Sequence, residues 1–363
     1  MYAGNCPPAI AALGCYEIGE EVSRSAMATI IYAPAIDWSF MKQRPQQLMT
    51  QLARHGHRVF YCNRTASSRD PEELMPGLTL VHDVERWLAE SRHGPTFGKP
   101  VILWCTMPHA ARELGRYAPD VILYDCSDEF PEWALYEREM LACADAVICS
   151  SERLELRIRK IRPSGRIAVV RNGYDPELAL HLEDEAMQPH RPIDLPDGKL
   201  IGYIGAWAPW VDAALLLRLA RSLSDKERIV VIGPEFGRKF IRHERIAYLG
   251  HKPHAMLPAY LRSLSVCLIP FKPNLVTLAA NPVKAYEYAA SGKPIVSTDL
   301  PECARMAPIV DIASSADAYV RAVKRRLHDP GDADARRHYA LSHTWRHRYQ
   351  QLESFLPELR QSF

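Results

Sequence analysis

The chain has 363 residues, 47% of them hydrophobic and 24% charged, with a formal net charge of +2 at pH 7. That is a globular composition, long enough for two domains with large cores, and so even a charge balance does not point to nucleic acid as a partner. No apolar run reaches the roughly 18 residues of a membrane span, which rules out a transmembrane helix in this sequence.

Residues 1–26 lack the basic start and apolar stretch of a secretory leader. They are expected to be a loose extension, with the folded chain beginning near Met27. Residues 28–33 (ATIIYA) read as a buried strand. The helix RPQQLMTQLARHG follows, with Pro45 at its start and Gly56 at its end. Strands are expected at 57–62, 78–81, 100–105, 121–124, 146–150 and 167–170, with helices at HAARELGRY, EWALYEREMLACA and SERLELRIRKI. Continuous apolar strands alternating with helices imply a parallel sheet covered on both faces. The stretch 175–199, rich in Pro, Asp and Glu, reads as a linker, and then the pattern begins again. Strands are expected at 200–205, 228–232, 246–250, 266–270 and 295–298, with helices at 211–222, 256–264, 282–291, 316–328 and 345–359. The expected organisation is an extension at 1–26, a first domain at 27–175, a linker at 176–199, a second domain at 200–344 and a closing helix at 345–363. In doubly wound sheets ligands bind beyond the carboxyl ends of the strands, so two such domains would face a cleft.

The nine cysteines are scattered and form no CxxC, which is neither a disulfide framework nor a zinc site. They point to the reducing cytoplasm. Two basic runs, 152–171 and 321–348, are either solvated faces or contacts for an anionic membrane surface or substrate. Asp332-Ala333-Asp334 is a formal DxD, read as a solvated turn, and no cluster suggests a bound metal.

The stretch NPVKAYEYAASGKPIVST, residues 281–298, raises the functional question. Asn281 reads as a helix N-cap and Pro282 as the first helical position. Lys284 then stands in the first turn, where the helix dipole disfavours a cation. A phosphate or diphosphate bound at that helix end would account for it. An i,i+3 pair with Glu287 is the competing explanation.

This stretch resembles the donor-binding signature of group 1 glycosyltransferases, the family-4-like enzymes of the GT-B fold. RIAYLGHKPHAMLPAYLRSLSVCLIP, ADAVICSSERLELRI, IAVVRNGYD and TWRHRYQQLE resemble further segments of that family, in the same order, over most of residues 28–363. The resemblance implies two Rossmann-like α/β domains, with the last helix crossing back to the first. It implies a cytoplasmic enzyme that takes a nucleotide-diphosphate sugar as substrate, without cofactor or metal, and a glycan or lipid-linked acceptor. A subgroup linked to cell-surface polysaccharide synthesis is the nearest in pattern. Glu287 would accept from ribose hydroxyls and Lys284 would sit against the diphosphate, with Asn281 at the same helix end. The loop Gly205-Ala206-Trp207 would close over the diphosphate, and Gly233-Pro234-Glu235 and Gly250-His251 would hold the base. The chain departs from the family at Ala279, where many relatives carry a second glutamate. It departs also in APAIDWSFMKQRPQQL, which replaces a Gly-rich loop, and in AWAPW, which lacks the usual arginine.

Asp125 and Asp128, just past the apolar run 121–124, are candidates for a base that activates an acceptor hydroxyl. Capping of the following helix is the alternative for both. A base would mean inversion, whereas the family resemblance favours retention. His109 is a weaker candidate, and Arg44 could clamp an anionic group of donor or acceptor. Trp38, Trp104, Trp133, Trp207 and Trp210 could stack on sugars or pack in the core. Two other functions fit less well. An NAD-dependent oxidoreductase should show GxGxxG after a strand, which Gly202-Tyr203-Ile204-Gly205 does not supply. An inactive sugar-nucleotide-binding partner subunit would keep the fold, and Ala279 is its best support.

Overall fold

The computed structural model describes residues 27–91, 97–182 and 190–360; the expected N-terminal extension lies outside them. The first half forms β1 (Thr29–Tyr32), α1 (Arg44–Arg54), β2 (Arg58–Cys62), β3 (Glu72–Met75), β4 (Leu78–Val81), α2 (Val84–Ser91), β5 (Val101–Cys105), β6 (Val121–Cys126), α3 (Ala134–Cys143), β7 (Ala146–Cys149), α4 (Glu152–Ile161) and β8 (Arg166–Val169). These strands make one sheet in the order β3-β4-β2-β1-β5-β6-β7-β8. Every neighbouring pair is parallel except β3 with β4. The apolar runs are buried on both faces because successive side chains alternate. Ile30 and Tyr32 pack with α1, whereas Ile31 and Ala33 pack with α2, α3 and α4.

The second half repeats the scheme with β9 (Lys199–Ile204), α5 (Ala213–Ser222), β10 (Glu227–Ile232), β11 (Ile246–Tyr248), α6 (Leu257–Arg262), β12 (Val266–Ile269), α7 (Leu275–Ala279), α8 (Val283–Ala290), β13 (Ile295–Thr298), α9 (Pro301–Ala304), β14 (Val310–Ala313), α10 (Ala316–His328), α11 (Ala333–Leu341) and α12 (Trp345–Arg360). Its sheet, β11-β10-β9-β12-β13-β14, is parallel throughout. In both sheets the strand order reverses beside the first strand, the switch point where doubly wound folds bind ligands.

α12 leaves the second half and buries Trp345, Tyr349 and Leu352 in the core of the first, against α1. The chain crosses between the halves twice, and the crossings touch. Tyr174 N donates to His343 O at 2.9 Å, and Trp345 N donates to Tyr174 O at 3.0 Å. Gly173 permits this approach, since a Cβ there would lie 2.8 Å from the Thr344 carbonyl carbon.

Several local expectations change. HAARELGRY forms two short 3-10 turns, Pro108–Arg112 and Leu114–Tyr117, in place of a helix. β3, α2, α7, α9, β14 and α11 were not foreseen. Asp332 of the DxD caps α11 by accepting from Ala335 N at 2.9 Å. α8 begins at Val283, with Pro282 as its N-cap. Asn281 therefore does not cap it.

Candidate functional site

α8 brings Lys284 to the carboxyl ends of β9 and β12. Its ammonium lies 4.4 Å from the Tyr203 ring centre and 5.1 Å from that of Phe271. It donates to the Tyr203 hydroxyl at 3.4 Å and forms no ion pair among the described residues. The i,i+3 pair with Glu287 is thus not made. Burial lowers the Lys284 pKa to about 8, with the Glu287 charge opposing the shift. A half-buried cation held by ring faces at a strand-end crevice is poised for an anion.

Two glycines shape the space beside it. Gly205 has φ +144° and Gly233 φ +150°, backbone conformations that other residues rarely adopt. A Cβ on Gly205 would collide with the Lys284 ammonium, and one on Gly233 would collide with the Gly205 carbonyl. The backbone at the ends of β9 and β10 can therefore lie directly over the lysine. Glu287, one turn along α8, faces His254, whose Nε2 is 3.5 Å from its Oε1. His251 is exposed. Glu235 holds its own loop, since its Oε1 accepts from Phe240 N at 2.6 Å.

Two expected donor contacts need correction. The Trp207 ring is buried: it packs on Phe240 with centroids 5.3 Å apart and donates Nε1–H to Lys239 O at 3.0 Å. It is a core anchor, so its ring does not line the crevice. Asn281 is also buried, and its amide is spent on Asn172, Tyr286 and Glu302. It joins the two halves instead of lining the crevice.

In the first half, Arg44 and Asp125 meet each other. Arg44 Nε donates to both Asp125 oxygens at 2.9 and 3.0 Å, and Trp104 Nε1 donates to Oδ2 at 3.2 Å. Arg44 Nη1 also donates to Val170 O at 2.8 Å. Arg44 is 4% exposed and Asp125 not at all. This corrects both expectations: the guanidinium is no anion clamp and the carboxylate has no surface from which to act as a base. Asp128, at the loop after β6, remains partly exposed. Burial raises its pKa, Ser127 opposes through a 2.9 Å hydrogen bond, and Asp125 adds to the rise. His109 is exposed and leans on Tyr136, with ring centres 3.9 Å apart. The basic run 152–171 is largely paired, with Arg153, Arg157, Arg159 and Arg171 each facing a carboxylate. No helix among the described residues is long and apolar enough to cross a membrane.

Residues 213–354 match a family described as glycosyl transferase-like. A protein of Bacillus subtilis (strain 168) named as a teichuronic acid biosynthesis glycosyltransferase, TuaH, is 25% identical over 306 residues, 76% of this chain and 76% of its own. The chain is a glycosyltransferase of the GT-B fold. Sucrose-phosphate synthase from Thermosynechococcus elongatus superposes on it with a TM-score of 0.69 at 15% identity, over 93% of this chain and 100% of the other. HepE of Anabaena, solved with UDP and glucose, gives 0.61 at 12% identity, over 91% and 99%.

In this glycosyltransferase the position of the missing second glutamate, Ala279, is fully buried. Its carbonyl accepts from Ser151 Oγ of the other half at 2.6 Å. The enzyme has made that position part of the seam between its domains. His254 escaped sequence reasoning because a lone histidine before a helix carries no signal; only the fold sets it against Glu287.

Proposed function

We propose that the enzyme moves a sugar from a nucleoside-diphosphate donor, held by the crevice at β9, β10 and α8, to a glycan or lipid-linked acceptor during synthesis of a cell-surface polysaccharide. The observation that carries the donor site is the unpaired Lys284 ammonium beneath the Gly205–Gly233 backbone. A diphosphate completes it: the anion supplies the missing counter-charge and takes free amides at the start of α8. Glu287 accepts from the ribose, with His254 orienting its carboxylate. Asp128 is the acceptor-side base, because a carboxyl with a raised pKa is matched to proton transfer near neutrality. The UDP bound to HepE and the teichuronic acid name of the Bacillus relative support the class of donor and of product. The site of action is the cytoplasmic side of the membrane, with the acceptor presented there.

The test is a thermal-shift screen with UDP, GDP, CDP and ADP. One of them raises the wild-type midpoint by mass action, and Lys284→Ala and Glu287→Ala abolish the rise. Variants that respond like the wild type would remove the donor site from α8.

A further inference from the structure

The seam between the two halves holds a feature that neither substrate site uses. Asn172 follows β8 in the first half, and Asn281 precedes α8 in the second. Asn172 N donates to Asn281 Oδ1 at 2.8 Å, and Asn172 Nδ2 donates to Asn281 O at 2.5 Å. Both residues are buried. Each is also anchored within its surroundings. Asn172 Oδ1 accepts from Arg44 Nη1 at 3.2 Å, and Asn172 O accepts from Arg348 Nε at 2.8 Å. Asn281 Nδ2 donates to Glu302 Oε2 at 3.0 Å and to the Tyr286 hydroxyl at 3.2 Å. Glu302 in turn holds Arg171 at 2.7 Å.

A continuous path results: Asp125, Arg44, Asn172, Asn281. It starts at Asp125, three residues before Asp128, and stops three residues before Lys284. Apolar contacts would hold a seam closed but would let its faces slide. Two hydrogen bonds made by the backbone and side chain of a single residue, in a buried site, have one satisfied geometry. Moving α8 along the seam leaves buried amides unpaired, which is costly.

We propose that Asn172 and Asn281 are positioning residues that set the donor helix α8 at one distance and angle from the acceptor side at β6. The proposal rests on the reading of α8 as the donor helix. The need is physical: a misplacement of about 1 Å between reacting groups costs roughly a hundredfold in rate.

The experiment is a distance measurement between the halves by double electron–electron resonance. Spin labels go on the exposed Cys143 of α3 and on a cysteine placed at the exposed Leu341 of α11, with Cys6 and Cys15 replaced by serine. Each protein is measured free and with UDP. The expected result is one narrow distribution in the parent and a broadened or split one in Asn281→Ala. Asn172→Asp is expected to broaden it too, since it keeps the acceptor for Arg44 and loses the donor to Asn281 O. The double variant is no broader than either single one, because the two residues act as a unit. Affinity for UDP stays within about threefold of the parent, a small change on the binding scale. Arg305→Ala, which removes an exposed pair with Glu152 across the same seam, leaves the distribution unchanged. Asn172→Asp carries the test if Asn281→Ala does not fold. Unchanged distributions in both folded variants, or equal broadening in Arg305→Ala, overturn the proposal. Failure of UDP, GDP, CDP and ADP alike to bind the parent would overturn the donor site instead, and broadening in the free protein would still decide the role of the pair.

Discussion

Lys284 illustrates how a side chain can be legible in type and still depend on its setting for its properties. Burial holds its pKa at about 8 in the free protein, below the usual value for lysine of about 10.4. Between those values the unfolded chain binds more protons than the folded one, so stability rises with pH in that window. A bound diphosphate restores the charge. Nucleotide binding is therefore expected to take up a fraction of a proton above pH 8, and affinity to fall as pH rises further. Calorimetry in buffers of different ionisation enthalpy measures the uptake, and Lys284→Met should remove it. The two aspartates make the opposite point. Sequence placed Asp125 and Asp128 together as possible bases, three residues apart with the same local chemistry. Only Asp125 meets Arg44 and Trp104. Asp125→Ala leaves a buried guanidinium without its counter-charge, and a loss of about 3–5 kcal/mol is expected in denaturant unfolding. Asp128→Asn should instead lower turnover by roughly 10²–10⁴ and remove the acidic limb of the pH–rate profile. Because the folded-state pKa of Asp128 is raised, this variant should be as stable as the parent, or more so, near neutral pH.

α8 and the strand ends around it were the most readable elements. Their caps and β-branched strands are local signals, and the helix was displaced by a single residue at its start. That displacement has a tertiary cause, since Asn281 is drawn to Asn172 across the seam and Pro282 takes the N-cap position. The loop after β9 was readable only in part. Gly205 stood out, but sequence could not show that its missing Cβ makes room for the Lys284 ammonium. Gly205→Ala adds a Cβ at a positive φ, with an expected cost of about 1–3 kcal/mol and loss of nucleotide binding, read together in one thermal-shift titration. The 3-10 turns after β5 and the short α7 were missed or misassigned because segments of three to five residues carry too little periodicity to separate helix from turn.

The two halves depend on each other most visibly through α12. Trp345, Tyr349, Leu352, Phe355 and Leu356 are all buried in the core of the first half, although their nearest elements in sequence belong to the second. Each contributes about 1.5–3 kcal/mol of burial. A chain ending at residue 344 should therefore expose apolar surface, bind a hydrophobic dye and lose its cooperative melt, whereas the second half alone retains its core cluster. By itself the sequence determined two alternating α/β halves, their parallel strands and the helix that carries Lys284 and Glu287, because apolar runs and turn residues act over a few neighbours. The tertiary structure alone decided which carboxylate is sealed in an ion pair, which tryptophan is core, and that Asn281 and Ala279 belong to the seam. Those roles depend on burial and on partners some 30 to 130 residues away, and electrostatic and hydrogen-bond energies follow distance in space, not separation along the chain.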